Sequence, residues 1–406
     1  MSVAERALRR EPPPHGSLLQ AAAVAVLERV LSELEGGTLA IRLPDGTTRT
    51  FGAGAPVTMT IASPNLFRRL ATRGKLGLGE SYTAGEWQAD DLVAFFELVL
   101  RNSEAVVRRH PRLRKLVTAR PRVNRRTGFL AARRNIQYHY DLGNEFFRLF
   151  LDRTMTYSCA VFEDADEPLE AAQLRKLRIV CDKLRLGPSD HVLEIGCGWG
   201  SFALVAAGEY GARVTAATIS PSQAGLARDR VNAAGLADRV EILERDYREL
   251  DGRFTKIASI EMLEAIGERE FGTFFATCDR LLGPNGIACV QTILVPDQRF
   301  ARYRSTPDWI ERYVFPGCLI PSLASLTTSM TRASRLGVFG LDEIGPHYAQ
   351  TLRHWRTRFH ANLDHVRRLG YDERFERTWD FYLAFCEAGF RTRTLRDVQL
   401  LLERAS

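Results

Sequence analysis

The chain has 406 residues, 45% of them apolar and 26% charged, with a formal net charge of +7. That balance excludes a disordered or fibrous chain and suffices for about two domains, each able to bury its own core. The seven cysteines, at positions 159, 181, 197, 278, 289, 318 and 386, are odd in number and show no metal-ligand spacing, which fits a reduced, cytoplasmic protein better than a disulfide scaffold.

Residues 1–10 lack an apolar signal core. The longest apolar run, 21–27, is too short to span a bilayer and is followed at once by Glu28-Arg29, so any membrane contact is expected to be peripheral. Residues 17–34 carry helical periodicity, and 39–51 read as two strands around the turn Pro44-Asp45-Gly46. The stretch 76–82 precedes a helix expected to begin near Asp90. No catalytic constellation stands out here, and residues 1–125 read as an N-terminal α+β accessory domain that scaffolds or presents substrate.

Charge concentrates at the end of that domain. Between Arg101 and Arg134 there are twelve Lys or Arg against the single acid Glu104, a local +11 that leaves the rest of the chain slightly negative. The residues include Arg108, Arg109, Arg112, Arg114, Lys115, Arg120, Arg122, Arg125, Arg126, Arg133 and Arg134. Such a stretch is drawn to an anionic membrane surface, each cation contributing about 1 kcal/mol. Nucleic acid attracts the same charges, and a solvated linker carries them too.

The most informative segment is Val192-Leu193-Glu194-Ile195-Gly196-Cys197-Gly198-Trp199-Gly200, an apolar strand that ends in an acid and opens into three glycines. Glycines permit a tight turn and close approach to a ligand, and Glu194 sits at the strand's carboxyl end, where open α/β sheets bind ligands. The spacing G-x-G-x-G lacks the third glycine of the dinucleotide fingerprint, whose helix N-terminus receives a pyrophosphate. Adenosylmethionine, which has no phosphate, is the better match.

Strands expected at 213–219, 239–245, 256–261 and 287–293 alternate with helices, one opening at Ser220-Pro221 and another over 269–282. The expected architecture over 126–406 is therefore α/β, a doubly wound, Rossmann-like class I methyltransferase sheet. Asp246-Tyr247 ends the third strand, an acid and a ring suited to an adenine. Thr218-Ile219-Ser220 replaces the usual ribose-binding acid after the second strand. The segment 296–345, rich in Phe, Ile, Leu and Tyr, is expected to form an inserted helical lid. After strand four the chain reads Ser259-Ile260-Glu261-Met262, not the Asn/Asp-Pro-Pro-Tyr/Phe of enzymes that methylate nucleic-acid amino groups, so nucleic acid is not the expected substrate.

The motif Tyr138-His139-Tyr140-Asp141-Leu142-Gly143-Asn144-Glu145-Phe146-Phe147, followed by Leu151-Asp152 and Met155-Thr156-Tyr157-Ser158-Cys159-Ala160, resembles the signature of cyclopropane-fatty-acyl-phospholipid synthases and mycolic acid cyclopropane synthases. The resemblance continues through the glycine turn, Thr218-Ile219-Ser220 with Gln223, Asp246-Tyr247-Arg248, Trp309-Ile310, Tyr313-Val314-Phe315-Pro316-Gly317 and Tyr348 with Thr351-Leu352 and Trp355, covering about 130–395. It implies one-carbon transfer from adenosylmethionine to the double bond of an unsaturated acyl chain, usually in a membrane phospholipid, by a cytoplasmic enzyme held peripherally at the inner membrane. It leaves room for a homodimer. The cofactor residues implied by residues and resemblance together are Tyr157, Ser158, Glu194, Gly196, Gly198, Gly200, Thr218, Ser220, Gln223, Asp246 and Tyr247.

An alkene is a weak nucleophile, so the methyl must be held close and in line, and the resulting carbocation must be kept from water. Tyr157, Tyr348 and Trp199 offer aromatic faces to that cation. The resemblance further implies a bicarbonate ion as the base that removes the last proton, held by Cys159, Glu264, Gln291, Ile293 and Tyr348. Two departures stand out: the family's usual His is Gln291, and its Glu-His pair reads Glu264-Ala265. This variant is similar to the branch that includes plant cyclopropane synthases and actinobacterial enzymes making 10-methylene or 10-methyl fatty acids, so ring and methyl-branched products both stay open. A methyltransferase for a small hydrophobic metabolite and a non-catalytic lipid-binding protein are the remaining alternatives.

Overall fold

The computed structural model describes residues 28–109, 142–306 and 308–404. The helix expected over 17–34 therefore falls mostly outside the described residues, as do the basic stretch beyond Arg109 and the motif from Tyr138 to Asp141.

The N-terminal sheet begins as expected, with β1 (Thr38–Arg42) and β2 (Thr48–Gly52) forming an antiparallel hairpin. The Asp45 carboxylate accepts from the Thr47 amide at 2.9 Å and hydroxyl at 2.7 Å, which fixes the turn. β3 (Pro56–Ile61) then runs parallel to β1 and carries β4 (Trp87–Ala89) on its other edge. Between them lie α1 (Asn65–Arg73) and α2 (Lys75–Thr83), and α3 (Leu92–Arg109) follows. α2 occupies the stretch expected only to precede a helix. Its glycines disfavour helix locally, but packing requires them: a Cβ on Gly77 would lie 2.2 Å from the Arg69 carbonyl oxygen, and one on Gly79 would lie 2.3 Å from the Trp309 ring.

The larger part starts with α4 (Gly143–Arg148) and α5 (Leu169–Lys183) and then alternates strand and helix: β5 (His191–Ile195), α6 (Ser201–Gly208), β6 (Arg213–Thr218), α7 (Pro221–Ala233), β7 (Val240–Glu244), β8 (Phe254–Ile260), α8 (Phe271–Leu281) and β9 (Leu282–Leu294). Three helices follow, α9 (Asp297–Ser305), α10 (Trp309–Tyr313) and α11 (Leu323–Ala333), then β10 (Leu336–Glu343), α12 (Gly345–Ala361), α13 (Leu363–Arg368), α14 (Glu373–Arg391) and β11 (Arg396–Arg404). The seven strands are ordered β10-β11-β9-β8-β5-β6-β7; β5 to β9 are parallel, and β11 lies antiparallel between β9 and β10.

The parallel strands and the helices α7 and α8 fall close to their expected positions. β10 and β11 were not anticipated, and β10 shortens the expected lid, because 336–343 belong to the sheet. The helical insertion is confined to α9–α11. An aromatic core runs from β4 and α3 into α14, with Phe96 and Phe381 ring centres 4.8 Å apart. Tyr82 donates to Asp380 at 2.6 Å across the same junction.

Candidate active site

The glycine turn at the carboxyl end of β5 lies at the edge of a crevice of about 1130 Å³, its open mouth included. Gly196, Gly198 and Gly200 have φ of +85°, +51° and +82°, the left-handed region that side chains avoid. A Cβ on Gly196 would come within 2.8 Å of the Met262 side chain. A Cβ on Gly198 would meet no protein atom within 4 Å although Gly198 lines the crevice, so the room kept there is not needed by the protein's own packing. Of the residues expected to hold the cofactor, Tyr157, Ser158, Glu194, Gly196, Gly198, Thr218, Gln223, Asp246 and Tyr247 line the crevice. Gly200 and Ser220 stand behind it as helix starts: Gly200 opens α6, and the Ser220 hydroxyl caps α7 by accepting from the Gln223 amide.

The polar groups of the crevice are arranged for a ligand with donors. Glu194 is buried, its Oε2 has no partner, and burial pushes its carboxyl up to about 8, with the Lys176 ammonium opposing the shift. Lys176, itself fully buried on α5, donates to the Ser158 hydroxyl at 2.6 Å. No sequence signal marked Lys176, which follows Arg175 in a charged helix. The Tyr247 hydroxyl is also buried without a partner, while the Asp246 carboxylate is gripped by the Arg248 guanidinium at 2.8 Å. Thr218 donates to Gln223 at 2.8 Å, a neutral pair where an acid is usual. An unpaired buried acceptor at Glu194 and the space before Gly198 fit adenosylmethionine, whose amino and ribose groups donate and whose sulfonium is cationic.

Beyond the glycine turn lies a second cluster. The residues expected to hold an anion are brought together in two groups, each around a carboxylate of the chain itself. Glu261, at the end of β8, accepts from the Cys159 amide and from Gln291 Nε2 at 2.8 Å each on Oε1, and from the Tyr348 hydroxyl at 2.6 Å on Oε2. Glu264 accepts from the Ile293 amide at 2.5 Å and from the Thr292 hydroxyl at 2.9 Å, and its Oε2 is buried without a partner. Burial and the Glu261 charge push the Glu264 carboxyl up to about 7. The Cys159 thiol points elsewhere, toward the carbonyls of Ala160 and Ile344, and burial raises it well above the usual thiol range.

Glu261 is the residue sequence reasoning missed. It is held at φ +50°, a conformation that costs a non-glycine residue about 1–3 kcal/mol and that turns its side chain into the crevice. Asp397, on β11, stands beside it: burial and the Glu261 charge push its carboxyl well above the usual carboxylate range. The orientation of Gln291 follows from a relay. Lys183 can only donate and meets Gln399 Oε1 at 2.5 Å, so Gln399 Nε2 faces Gln291 Oε1 at 3.0 Å, and Gln291 Nε2 must face Glu261 and Asp397 Oδ2, the latter at 3.1 Å.

Tyr157 and Trp199 line the crevice with their rings, and Tyr348 reaches it through its hydroxyl on Glu261. Tyr157 packs 5.1 Å from Trp355 and its hydroxyl meets that of Tyr382 at 2.9 Å; Tyr348 stacks on Phe390 at 4.4 Å, and Trp199 lies 5.1 Å from Phe147. The insertion reaches the same wall through Phe315, 5.5 Å from Tyr382, and is tied to the site where the Leu319 amide donates to the Glu264 carbonyl at 2.8 Å.

The strand order, the glycine turn and the crevice at the parallel strands' carboxyl ends define a class I adenosylmethionine-dependent methyltransferase. The family profile described as mycolic acid cyclopropane synthetase matches residues 130–400, and the chain belongs to that family. It is 39% identical over 403 residues to the tuberculostearic acid methyltransferase UfaA1 of Mycobacterium tuberculosis, covering 96% of this chain and 93% of that protein. It is 36% identical over 354 residues to the cyclopropane-fatty-acyl-phospholipid synthase of Escherichia coli K12, covering 86% and 88%. The mycolic acid cyclopropane synthase CmaA1 complexed with SAH and CTAB superposes with a TM-score of 0.62 at 31% identity, over 67% of this chain and 98% of that one. The chain is thus an adenosylmethionine-dependent enzyme of fatty acid modification. Among the described residues no helix is long and apolar enough to cross a membrane.

Proposed function

We propose that this enzyme transfers a one-carbon unit to the double bond of an unsaturated fatty acyl chain in a phospholipid. The observation that carries this reading is the contiguity of two environments: a glycine-lined crevice with an unpaired acceptor at Glu194, and an aromatic wall where Tyr157 and Trp199 line the same crevice, with Tyr348 bonded to Glu261 behind them. Adenosylmethionine, held by Glu194, Gly196, Gly198, Asp246 and Tyr247, supplies an electrophilic methyl group. Gly198 gives it room, Glu194 accepts from its donors, and Lys176 keeps the buried carboxylates compensated. The rings exclude water from a carbocation and face it with π density.

Two products are consistent with this chemistry. A methylene- or methyl-branched chain is supported by the 39% identity to a tuberculostearic acid methyltransferase over almost the whole of both chains, while Gln291 and Ala265, where the resemblance leads one to expect His, favour neither product. A cyclopropane ring is supported by the 36% identity to a cyclopropane-fatty-acyl-phospholipid synthase. Lipids from a host expressing the chain and fed methyl-labelled methionine decide between them by mass spectrometry: label in a ring, in a branch, or in neither. Label only in small metabolites would overturn the lipid reading.

In the same reading residues 1–125 form the accessory part, 126–406 the catalytic part, and the basic stretch attaches the enzyme peripherally to an anionic membrane. A bicarbonate ion does not fit the five expected positions as they stand, because the donors of Cys159, Gln291, Ile293 and Tyr348 already serve Glu261 or Glu264.

A further inference from the structure

Resting on that reading of the reaction, we infer that the Glu261 carboxylate is itself the proton acceptor, standing in the place a bicarbonate ion would take. Three independent donors converge on it: a backbone amide from the loop before α5, an amide from β9 and a phenol from α12. A carboxylate and a bicarbonate present the same planar pair of oxygens, so a nest built for one suits the other. Here the chain fills it from within. The strained backbone at Glu261 is the second observation, because a left-handed glutamate persists only where its surroundings over-determine it, and here it aims the carboxylate into the crevice. The amide relay from Lys183 is the third. It fixes Gln291 with its N–H toward Glu261, a neutral donor that orients the carboxylate.

The step balances without an added base. The alkene π pair forms the new C–C bond, the S–C bond breaks with its pair left on sulfur, and the adjacent carbon becomes a carbocation. A C–H bond of the added methyl then breaks, its proton passing to Glu261. Its electron pair closes on the cationic carbon to make a ring or, after hydride moves from the methylated carbon to its cationic neighbour, forms the double bond of a methylene branch. Both products lose their proton from the same methyl, so one acceptor serves either. Asp397 accepts from the same Gln291 amide and so helps to hold it toward Glu261.

The test uses the full-length protein with vesicles of unsaturated phospholipid, in carbon dioxide-free buffer and with bicarbonate added. Wild-type turnover is expected to be the same in both buffers. Glu261→Gln should lose turnover by roughly 100- to 10,000-fold, the usual contribution of a positioned base, with adenosylmethionine affinity by calorimetry unchanged. Glu261→Gly, which relieves the backbone and empties the nest, should regain turnover saturably with bicarbonate, and should broaden the ¹³C resonance of bicarbonate where wild type does not. Bicarbonate-dependent wild-type turnover, bicarbonate binding to wild type, or full activity in Glu261→Gln would each overturn the inference. If wild type converts no lipid in either buffer, the reading of the reaction fails, and the ¹³C experiment still decides whether Glu261 occupies the anion nest.

Discussion

Glu194 should make the empty enzyme less stable as pH rises, and its replacement should expose that cost. Burial holds its carboxyl at about 8 against 4.5 when unfolded, so between those values the folded chain binds the proton and the unfolded chain does not. Stability contributed by the protonated form is therefore complete below about pH 4.5 and lost progressively up to about pH 8. At 1.36 kcal/mol per pH unit, the loss between pH 5.5 and 7.5 amounts to about 2–3 kcal/mol. Glu194→Gln removes this titration. Whatever fixed cost the amide brings does not vary with pH, so the variant's stability relative to wild type should rise by about 2–3 kcal/mol over the same window. Urea unfolding of both proteins at the two pH values, without ligand, measures it. A difference that does not change with pH would refute the assignment of Glu194 as a buried, protonated acid. The same reasoning predicts that adenosylmethionine, by bringing donors and a positive charge, ionises Glu194 and releases a proton near pH 7, seen as a dependence of the calorimetric heat on buffer ionisation enthalpy.

Gly198→Val should abolish adenosylmethionine binding by filling the crevice and forcing a β-branched residue to φ +51°, at a stability cost of about 1–2 kcal/mol; unchanged affinity by calorimetry would sink the site assignment. Glu264→Gln should keep the fold and most of the turnover, since an amide oxygen can accept from Ile293 and Thr292 as the half-protonated acid does; a loss of turnover as deep as in Glu261→Gln would reverse the roles of the two acids. Charge reversal at Arg108, Arg109, Arg112 and Arg114 should weaken sedimentation with anionic vesicles, and wild-type binding should fall with salt as exposed charges are screened over about 8 Å. Equal sedimentation of the two proteins at low salt would make the stretch a solvated linker.

The glycine turn at the edge of the crevice was legible because its determinants are local: Glu194 and the three glycines lie within seven residues, and the left-handed backbone follows from the glycines themselves. The proton-accepting half was not. Glu261 looked like part of an unremarkable strand end, and its role depends on partners up to 102 residues away in sequence, gathered by β9, α12 and the loop before α5. The available signal was an acid closing strand four, next to the crevice by topology. β11 escaped notice because its buried residues include Asp397 and Gln399, polar groups that break an apolar run yet are paired within the sheet. β10 is interrupted by Gly337 and Gly340, and α2 was hidden by glycines that tertiary contacts demand.

The bonding of Gln291 has a consequence for how such a site can change by descent. Its amide gives both N–H groups and its oxygen to three different side chains at once, those of Glu261, Asp397 and Gln399. A histidine in its place could not serve all three, since an imidazole that donates to two acids has no acceptor left for Gln399. An exchange at position 291 therefore strands the buried Gln399 amide unless position 399 changes with it. Relatives that carry histidine at position 291 should carry a different partner at position 399.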